Sequence, residues 1–557
     1  MSFIDSLDFV GKDDRVRKFL FPKKIIGTWG NVIGAEKLLE EKPLQIGLSE
    51  QSVTNLINKD SNENAAVLLD FGFELHGGIR ILSSWSACKG YPSVRVSFGE
   101  SAMEAVSNIG FKNSTNDHST RDSVVTLPQL SDMEIGQTGF RFVYIELLSE
   151  NAKIDLKAVA AVFVYRDLEY KGTFECDDEK INAIYNTAAY TCHLNMQNML
   201  WDGIKRDRLV WIGDSHPEML TMRTVFGKQS ILEESLDFVR EQTPLPGWMN
   251  GMPSYSMWWL IILWDWFTHN GDEKFLLKQK DYAVALMHQL CDSVNEDGTD
   301  TIPSYFLDWP TNGTPDGAIG ARALLVIALK KAEKLALFYG DSDLSALCSK
   351  KAAVMKKSNN VDSSRKTVTA FQILAGIKDA TEKNAFLLEG GAKGLSTFLS
   401  YYVLKAMALG GSMKDTLAVM KEYYGAMLDK GATTFWEDFN MDWLENTGNI
   451  DELLSSDQRD LHGDNGAFCY IGYRHSLCHG WSSGPVPFLA EEVLGIKILE
   501  IGCKKICIKP NLGDLKWAKG TYPTPFGIIS VSHKALSDGT VETTVDAPES
   551  IDIVIEK

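Results

Sequence analysis

The chain has 557 residues and a formal net charge of −18, from 56 Lys and Arg against 74 Asp and Glu. This acidic balance argues against binding to a nucleic-acid backbone, which requires clustered positive charge. With 44% hydrophobic and 23% charged residues, the composition is that of a folded globular protein and excludes wholesale disorder.

Membrane insertion and export are not expected. No apolar run reaches the roughly 18–20 residues of a membrane-spanning helix, and the best run, 258–267, is interrupted by Asp265. The first residues lack the basic and apolar regions of a secretory signal, which predicts a cytoplasmic location. The nine cysteines are scattered without a Cys-x-x-Cys pair. We therefore expect neither a disulfide framework nor a metal site, and no cofactor.

The sequence pattern of the N-terminal third of the chain predicts β structure. Short strand-like runs lie at 66–73, 93–98, 140–147 and 159–165, and turn-forming Gly, Asn, Asp and Ser clusters separate them. The run at 140–147 partly alternates apolar and polar residues, as a half-buried strand does. We predict an antiparallel β-sandwich over residues 1–170.

Helical periodicity replaces this pattern over residues 171–492. Amphipathic stretches begin near 178 and 321 and recur to about 428, so that roughly a dozen helices fit, which favours a toroid of helical hairpins. Strand-like runs return over residues 493–557, with a turn signal at Ser537-Asp-Gly539. This tail is too small for a large core of its own, so we expect it to pack against the helical domain.

The densest polar and aromatic string is WDGIKRDRLVWIGDSHPE at 201–218. Tryptophans mixed with carboxylates and guanidinium groups are typical of sugar clefts, where rings stack on the sugar and charged groups bind its hydroxyls. Asp207, Trp211 and Asp214 would share one side of a helix if this stretch were helical. A buried ion-pair network bracing a loop is the alternative interpretation.

Two later segments of the sequence also combine aromatic residues with polar or charged residues. In the first, Trp436, Glu437 and Asp438 adjoin Phe439, although an acidic pair beside aromatic residues also occurs as an ordinary helix start. In the second, His479 precedes a Ser, Gly and Pro loop, where it is either structural or a substrate contact. Further cleft candidates are Trp259, Asp308 and Trp309, although most tryptophans near 258–266 are expected to pack the barrel.

Glycoside hydrolysis needs two carboxyl groups, one to protonate the leaving oxygen and one to activate water or attack carbon. The two acidic clusters set among aromatic residues suit that scheme. Neither a phosphate-binding Gly-x-x-x-x-Gly-Lys loop nor a His-Glu-x-x-His zinc motif is present.

These strings resemble the motifs of a known family. The segments at 205–214, 432–437 and 476–481, with the tail at 498–517, are similar to the α-L-rhamnosidases of glycoside hydrolase family seventy-eight. The resemblance implies an (α/α)₆ barrel between an N-terminal and a C-terminal β-sandwich, an inverting mechanism, small rhamnosides as substrates and a possible homodimer. It assigns the general acid to Asp207 and the general base to Glu437. The rhamnose subsite would contain Asp202, Arg206, Trp211, Asp214 and His479, with Trp259, Asp308, Trp309 and Trp436 as further candidates from the sequence.

One departure from the family pattern concerns the acid. Many members carry Glu within Asp-Glu-Arg, whereas this chain has the shorter Arg206-Asp-Arg208. Cations close to a carboxyl group favour its ionised form, which a general acid must avoid. We therefore expect both arginine side chains to point away from Asp207, and the Trp211 indole to desolvate it.

Two other functions remain open from the sequence. Some polysaccharide lyases also combine a helical toroid with β-sandwiches, but the −18 charge and the carboxylate-rich strings suit an acidic polymer poorly. A non-catalytic carbohydrate-binding protein is the other alternative, and the presence of both Asp207 and Glu437 argues against it.

Overall fold

The N-terminal domain is a two-layered β structure. The computed structural model describes residues 13–59 and 63–556. Its strands here are β1 Arg15–Leu20, β2 Lys24–Trp29, β3 Asn31–Ile33, β4 Thr54–Asn58, β5 Ala66–Ala87, β6 Ser93–Gly99, β7 Asp122–Thr126, β8 Ser131–Leu147 and β9 Ala152–Arg166, with a short helix α1 Ala102–Val106.

The long strand β5 explains how one hydrogen-bonded sheet makes two layers. Its first part, from Ala66, pairs with β2, and its second part, from Gly77, pairs with β9, while β8 follows both parts. Register shifts after Asp70 and Gly77 bend the strand between the two parts. Apolar residues of both layers, such as Val67 and Ile154, join one buried core. The predicted N-terminal sandwich is confirmed.

The central domain is a closed ring of helices. Its helices are α2 Glu179–Asn195, α3 Ser215–Val225, α4 Ser230–Glu241, α5 Pro253–Asn270, α6 Glu273–Lys278, α7 Lys280–Asp292, α8 Pro315–Phe338, α9 Ser342–Ser358, α10 Lys366–Leu374, α11 Ala380–Leu388, α12 Ser400–Leu409, α13 Met413–Asp429 and α14 Pro485–Phe488. Helices α3, α5, α8, α10, α12 and α14 contact one another in sequence, and α14 contacts α3 again. Setting aside the short α6, twelve helices of this described span form six hairpins, as the (α/α)₆ architecture requires.

Inner and outer helices differ in how much of their surface is buried. Every residue of the inner helix α3 is buried. The outer helix α9 instead buries Leu344, Cys348, Ala352 and Met355 on one stripe and exposes most of the rest. Helix starts follow their local sequence, since Thr314 caps α8 and Pro315 occupies its first turn.

The C-terminal strands form two small sheets on the barrel. The remaining strands are β10 Thr173–Cys176, β11 Gly466–Ala467, β12 Tyr470–Ile471, β13 Ile496–Ile498, β14 Lys505–Ile508, β15 Trp517–Thr524, β16 Gly527–Ala535, β17 Val541–Asp546 and β18 Asp552–Ile555. Strand β10, which leads into the first barrel helix, opens the sheet β10-β15-β16-β17, and β13-β14-β18 form the other. Ile508, Tyr522 and Val531 share one core with the barrel helices, which confirms that the tail packs on the helical domain. Within the described residues, no helix is long and apolar enough to cross a bilayer.

A buried lysine joins the N-terminal domain to the barrel. Nζ of Lys205, in the loop before α3, lies 3.1 Å from a carboxylate oxygen of Glu100 and 3.1 Å from one of Glu104, both of the N-terminal domain. It also donates to the carbonyls of Tyr473 (2.8 Å) and His475 (2.5 Å). A buried ion pair of this kind fixes how the two domains meet, because losing either partner leaves an uncompensated charge.

Replacing this lysine should destabilise the protein strongly. Lys205→Met leaves two buried glutamates without their cation, and such a loss costs about 3–5 kcal/mol. The measurement is urea-induced unfolding followed by circular dichroism. The control is Lys519→Met, whose partner Glu175 is exposed like Lys519 itself; it should cost less than about 1 kcal/mol. Equal effects of the two substitutions would contradict the role of the buried network.

Candidate active site

The site begins in the loop that precedes α3. Asp207 and Arg208 have φ angles of 56° and 53°, in the left-handed region that side chains rarely adopt. Two such residues in succession end any helix, so α3 begins only at Ser215 and the helical spacing predicted for Asp207, Trp211 and Asp214 is wrong. Backbone strain of this kind persists where surrounding contacts impose it.

The Arg206 guanidinium lies between Asp207 and Glu437. Its Nη1 donates to Oδ1 of Asp207 at 2.8 Å, its Nη2 donates to Oε1 of Glu437, and its Nε donates to the Arg474 carbonyl at 2.9 Å. Burial lowers the pKa of Arg206, but the charges of Glu437 and Asp207 outweigh burial and raise it above its ordinary value. Arg206 therefore stays charged and positions both carboxyl groups.

We expected both arginine side chains to point away from Asp207; this is wrong for Arg206 and confirmed for Arg208. Arg206 contacts Asp207 because a buried guanidinium needs carboxylate partners. Arg208 does point away, since it donates to the carbonyls of His118 and Gln137 in the N-terminal domain. The Trp211 indole does more than shield Asp207, because its Nε1 donates to Oδ2 of Asp207 at 3.1 Å.

Glu437 is held by the segment that follows the β11–β12 hairpin. The Ser476 N–H donates to Oε2 of Glu437 at 3.1 Å, and the Glu437 N–H donates back to the Ser476 carbonyl at 2.9 Å. The Glu437 side chain is 6% exposed, whereas the Asp207 side chain is 17% exposed. The two carboxyl groups thus differ in their access to solvent.

Two more carboxyl groups and His479 lie beside this pair. Burial, followed by the charges of Asp207 and Asp214, raises the pKa of Asp202 well above its ordinary value. Burial likewise raises the pKa of Asp214, despite a 2.7 Å hydrogen bond from the Tyr255 hydroxyl. His479 places Nε2 3.8 Å from an Asp202 oxygen and 3.9 Å from an Asp214 oxygen. The raised pKa values favour the neutral form of these carboxyl groups, which can donate as well as accept hydrogen bonds.

Glu218 and Gly480 show how tightly this region is packed. Glu218 is fully buried, and burial together with the charge of Asp214 raises its pKa well above the ordinary value. A Cβ on Gly480 would lie 1.5 Å from Oε1 of Glu218. Only glycine fits there, so the backbone beside His479 approaches the Glu218 carboxyl directly.

An aromatic wall continues from the carboxyl groups. Asp308 accepts from the Ser396 hydroxyl at 2.5 Å, and burial raises its pKa to about 6. Trp309 stacks on Phe468 at a centroid distance of 6.0 Å and meets Tyr470 edge-on at 6.4 Å. Asp308 and Trp309 therefore lie with Asp438, the neighbour of Glu437, at the same end of the barrel.

Two predicted tryptophans do not reach the carboxyl groups. Trp259 is 0% exposed, donates to the Leu236 carbonyl and packs on Tyr282, so it belongs to the barrel wall. Its placement in the cleft was wrong because α5 is buried on nearly all sides. Trp436 is 1% exposed and packs edge-on against Phe439 beneath Glu437.

The N-terminal domain supplies two site residues that the sequence did not reveal. His118 contacts Asp207, and Asp117 contacts Arg474. His118 lies 89 positions before Asp207 in a loop without a motif, so no local pattern signals the contact.

One cluster has the geometry of a cation site. Among the described residues, only Glu100, Glu104 and His462 bring three potential ligand atoms within 4.8 Å of one another. The ammonium group of Lys205 already lies against both glutamates. The lysine therefore supplies the positive charge that these carboxylates require.

Comparison with known proteins identifies the domains. Residues 169–372 match the family described as bacterial alpha-L-rhamnosidase 6 hairpin glycosidase domain, and residues 495–555 match the bacterial alpha-L-rhamnosidase C-terminal domain. These two stretches of the chain are therefore similar to domains of bacterial α-L-rhamnosidases. The family resemblance given by the motifs is thereby confirmed.

The chain is also similar to whole proteins named as rhamnosidases. An alpha-L-rhamnosidase of Alteromonas sp. (strain LOR) is 24% identical over 74% of this chain and 47% of its own length, so the chain spans about half of that relative. The GH78 family rhamnosidase of Bacillus sp. GL1 has the same fold, with a TM-score of 0.74 at 20% identity, covering 94% of this chain and 55% of that chain. A Klebsiella oxytoca rhamnosidase with rhamnose bound gives a TM-score of 0.63 at 17% identity, over 86% of this chain and 96% of that chain.

The buried acids of the candidate site should make stability depend on pH. Burial and the charge of Asp308 raise the pKa of Asp438 to about 7. The folded state keeps this proton up to higher pH than the unfolded chain, so the free energy of unfolding falls as the pH rises from about 4 to about 7. Asp438→Asn should reduce that fall by about 1 kcal/mol or more.

Urea unfolding of Asp438→Asn and the unsubstituted protein at several pH values measures this effect. Asparagine keeps an oxygen for the Phe439 N–H, which donates to Oδ1 of Asp438 at 2.9 Å. Asp343→Asn, at an exposed position of α9, is the matched control and should leave the pH dependence unchanged. An unchanged dependence in Asp438→Asn would contradict the assignment.

Proposed function

We propose that the protein hydrolyses terminal α-L-rhamnosides with inversion at the anomeric carbon, Asp207 acting as general acid and Glu437 as general base. The observation that carries the proposal is the Arg206 guanidinium between these two carboxyl groups, each on a different terminal nitrogen. Inverting glycosidases keep their carboxyl groups roughly 6.5–9.5 Å apart, leaving room for a water molecule, and the proposal requires this spacing of Asp207 and Glu437.

The surroundings of Glu437 suit a base. The Arg206 guanidinium and the Ser476 N–H both donate to its carboxylate, so its remaining lone pairs can take a proton from water. Because both oxygens are fixed, the base needs little reorganisation when the water attacks.

The surroundings of Asp207 suit the leaving-group side. Its side chain is the more exposed of the two and lies at the edge of the N-terminal domain, where a departing group has a path to solvent. The Trp211 N–H and Arg206 fix its orientation from two directions. A carboxyl group positioned in this way can place its proton on the glycosidic oxygen.

The neutral carboxyl groups and His479 would bind the sugar. Asp202 and Asp214, both with raised pKa, can donate to sugar hydroxyls as well as accept from them. The half-exposed indole of Trp211 offers an apolar face beside Asp207, suited to the C5 methyl group of a 6-deoxy sugar. Together they favour rhamnose over sugars with a polar C6.

A screen of p-nitrophenyl glycosides tests the activity directly. We expect release of p-nitrophenol from the α-L-rhamnoside and none from the α-D-glucoside, whose stereochemistry does not fit the fixed polar contacts. Release of an unsaturated uronate, seen as ultraviolet absorbance, would instead indicate a lyase. Rhamnoside binding without turnover would indicate a carbohydrate-binding protein, and either result overturns the proposal.

Substitution of the two carboxyl groups should separate their roles. Asp207→Asn should lower turnover of an alkyl rhamnoside by about 10²–10⁴-fold, because such a leaving group needs a proton. Its effect on the dinitrophenyl rhamnoside should be much smaller, because that leaving group departs as an anion. Glu437→Gln should slow both substrates alike, since water must be activated in either case. If Asp207→Asn retains more than about a tenth of the activity on the alkyl rhamnoside, the acid is another residue.

The stereochemistry of the product gives an independent check. Proton NMR recorded during the first turnovers should show β-L-rhamnose before mutarotation, because water attacks the face opposite the leaving group. The first product from an enzyme with a covalent intermediate would be the α-anomer. Early appearance of the α-anomer would exclude the inverting assignment while leaving the hydrolase activity intact.

A further inference from the structure

A histidine of the N-terminal domain contacts the proposed acid. Nδ1 of His118 lies 2.8 Å from the Asp207 amide nitrogen and 2.8 Å from Oδ1 of the same residue. On the other side of the ring, Nε2 of His118 lies 3.3 Å from an Asp117 carboxylate oxygen. His118 itself has a φ of 64°, so two strained segments from different domains meet at this contact.

The same ring atom can make two different hydrogen bonds. When the imidazole is neutral and carries its proton on Nε2, Nδ1 accepts the Asp207 N–H and Nε2 donates to Asp117. When the imidazole carries two protons, Nδ1 donates to Oδ1 of Asp207 instead. The contact can therefore fix the Asp207 backbone in one state and supply a proton to its carboxylate in the other.

We propose that His118 is a positioning residue that holds Asp207 in its left-handed conformation and returns a proton to its carboxylate after each turnover. This inference rests on the proposed role of Asp207 as general acid. Arg206 and Trp211 donate hydrogen bonds to Asp207 that suit a carboxylate, so they cannot reload it with a proton. Among the described residues in direct contact with Asp207, His118 is the remaining group that can do so.

The proton balance closes over one cycle. Asp207 gives its proton to the glycosidic oxygen as the bond to the anomeric carbon breaks, and the electron pair of that bond stays on the oxygen. Water forms the new bond to carbon and gives one proton to Glu437, which releases it to solvent. The imidazolium Nδ1–H then protonates Asp207, and His118 regains a proton from solvent hydronium or a buffer acid. His118 has a 39% exposed side chain, so solvent reaches it.

The charged groups that face His118 support both of its states. Asp117 can accept the Nε2–H of the ring, and Arg474, which donates to Asp117 at 2.6 Å and 3.0 Å, holds the pKa of Asp117 below its ordinary value. The Arg208 guanidinium donates to the His118 carbonyl and fixes the loop without contacting the ring. Arg206 acts on the other side of Asp207 and keeps the carboxylate in reach of Nδ1.

The decisive variant is His118→Asn. Asparagine can still accept the Asp207 N–H through its side-chain oxygen but cannot carry a proton. A histidine–carboxyl pair retains a shared proton to higher pH than a carboxyl group alone, because imidazole binds a proton near pH 6.5. We therefore expect the alkaline limb of the kcat/KM profile on an alkyl rhamnoside to move to lower pH by at least about one unit, with a loss of about tenfold or more at pH 7.

Other readouts separate this role from simple structural support. Turnover of the dinitrophenyl rhamnoside should change by less than about threefold, since it needs no proton. Added imidazole should restore activity of His118→Ala on the alkyl rhamnoside. His288→Asn, at an exposed position of α7, is the matched control and should leave both profiles unchanged. An unmoved alkaline limb in His118→Asn, or an equal loss on both substrates, overturns the proposal.

A second variant and the unsubstituted protein cover the cases in which His118→Asn alone cannot decide. If His118→Asn does not fold by circular dichroism, Asp117→Asn decides, because it removes the carboxylate that contacts Nε2 of His118 and should move the alkaline limb in the same direction. An unmoved limb in Asp117→Asn then overturns the relay. Failure of the unsubstituted protein to cleave either rhamnoside would refute the proposed function itself, and is thereby distinguishable from failure of the relay.

Discussion

The site is organised by two adjacent buried cations, Lys205 and Arg206. Lys205 pairs with Glu100 and Glu104 of the N-terminal domain, and Arg206 pairs with Asp207 and Glu437. A buried cation is tolerated only where carboxylates neutralise it, so each cation fixes the position of the groups around it. Lys205 and Arg206 are consecutive. The packing of the N-terminal domain on the barrel and the positions of Asp207 and Glu437 therefore depend on the same short segment. The strained backbone at Asp207 and Arg208 follows directly from this double attachment.

The sequence predicted most of the regular structure because each element carries its own pattern. The amphipathic stretch on α8 and the strand-like runs of β5 and β9 lie where periodicity placed them. The sequence pattern did not predict helix α3. All of its residues are buried, the polar ones included, so the helix has no amphipathic face. The sequence predicted short, separate strands in the N-terminal domain. In the structure β5 is one long strand that runs through both layers, and the bulges that allow this leave no local sequence pattern.

The candidate site was predicted in its residues more than in its geometry. Charged groups mixed with tryptophan identified 201–214 and the region of Glu437, because such composition fits neither a core nor a solvated face. The contact between Arg206 and Glu437 spans 231 positions, and the contact of His118 with Asp207 spans 89. Contacts over such separations arise from the closure of the barrel and the docking of the N-terminal domain, which residue spacing does not encode.

The two ends of the barrel carry different electrostatics. The carboxyl-rich site lies beside the starts of inner helices such as α3, α8 and α12, where the helix dipoles favour negative charge. The opposite end, around a cavity of about 480 Å³, has lysine and arginine side chains near the helix ends. There Lys405 and Arg223 pair with Glu491 at 2.5 Å and 2.8 Å. These cations offset the partial negative charge of the inner helix C-termini, and their carboxylate partners keep the buried charge balanced.

This polarity explains how one site can hold carboxyl groups in two protonation states. Asp202, Asp214 and Glu218 are buried beside one another, and mutual repulsion adds to burial in raising their pKa values. Arg206 offers its terminal nitrogens to Asp207 and Glu437 and not to these three. A single guanidinium therefore holds Asp207 and Glu437, while burial raises the pKa of Asp202, Asp214 and Glu218. A hydrolase of the proposed kind needs this division, because a base must be ionised while the groups that bind a neutral sugar serve best as uncharged donors and acceptors.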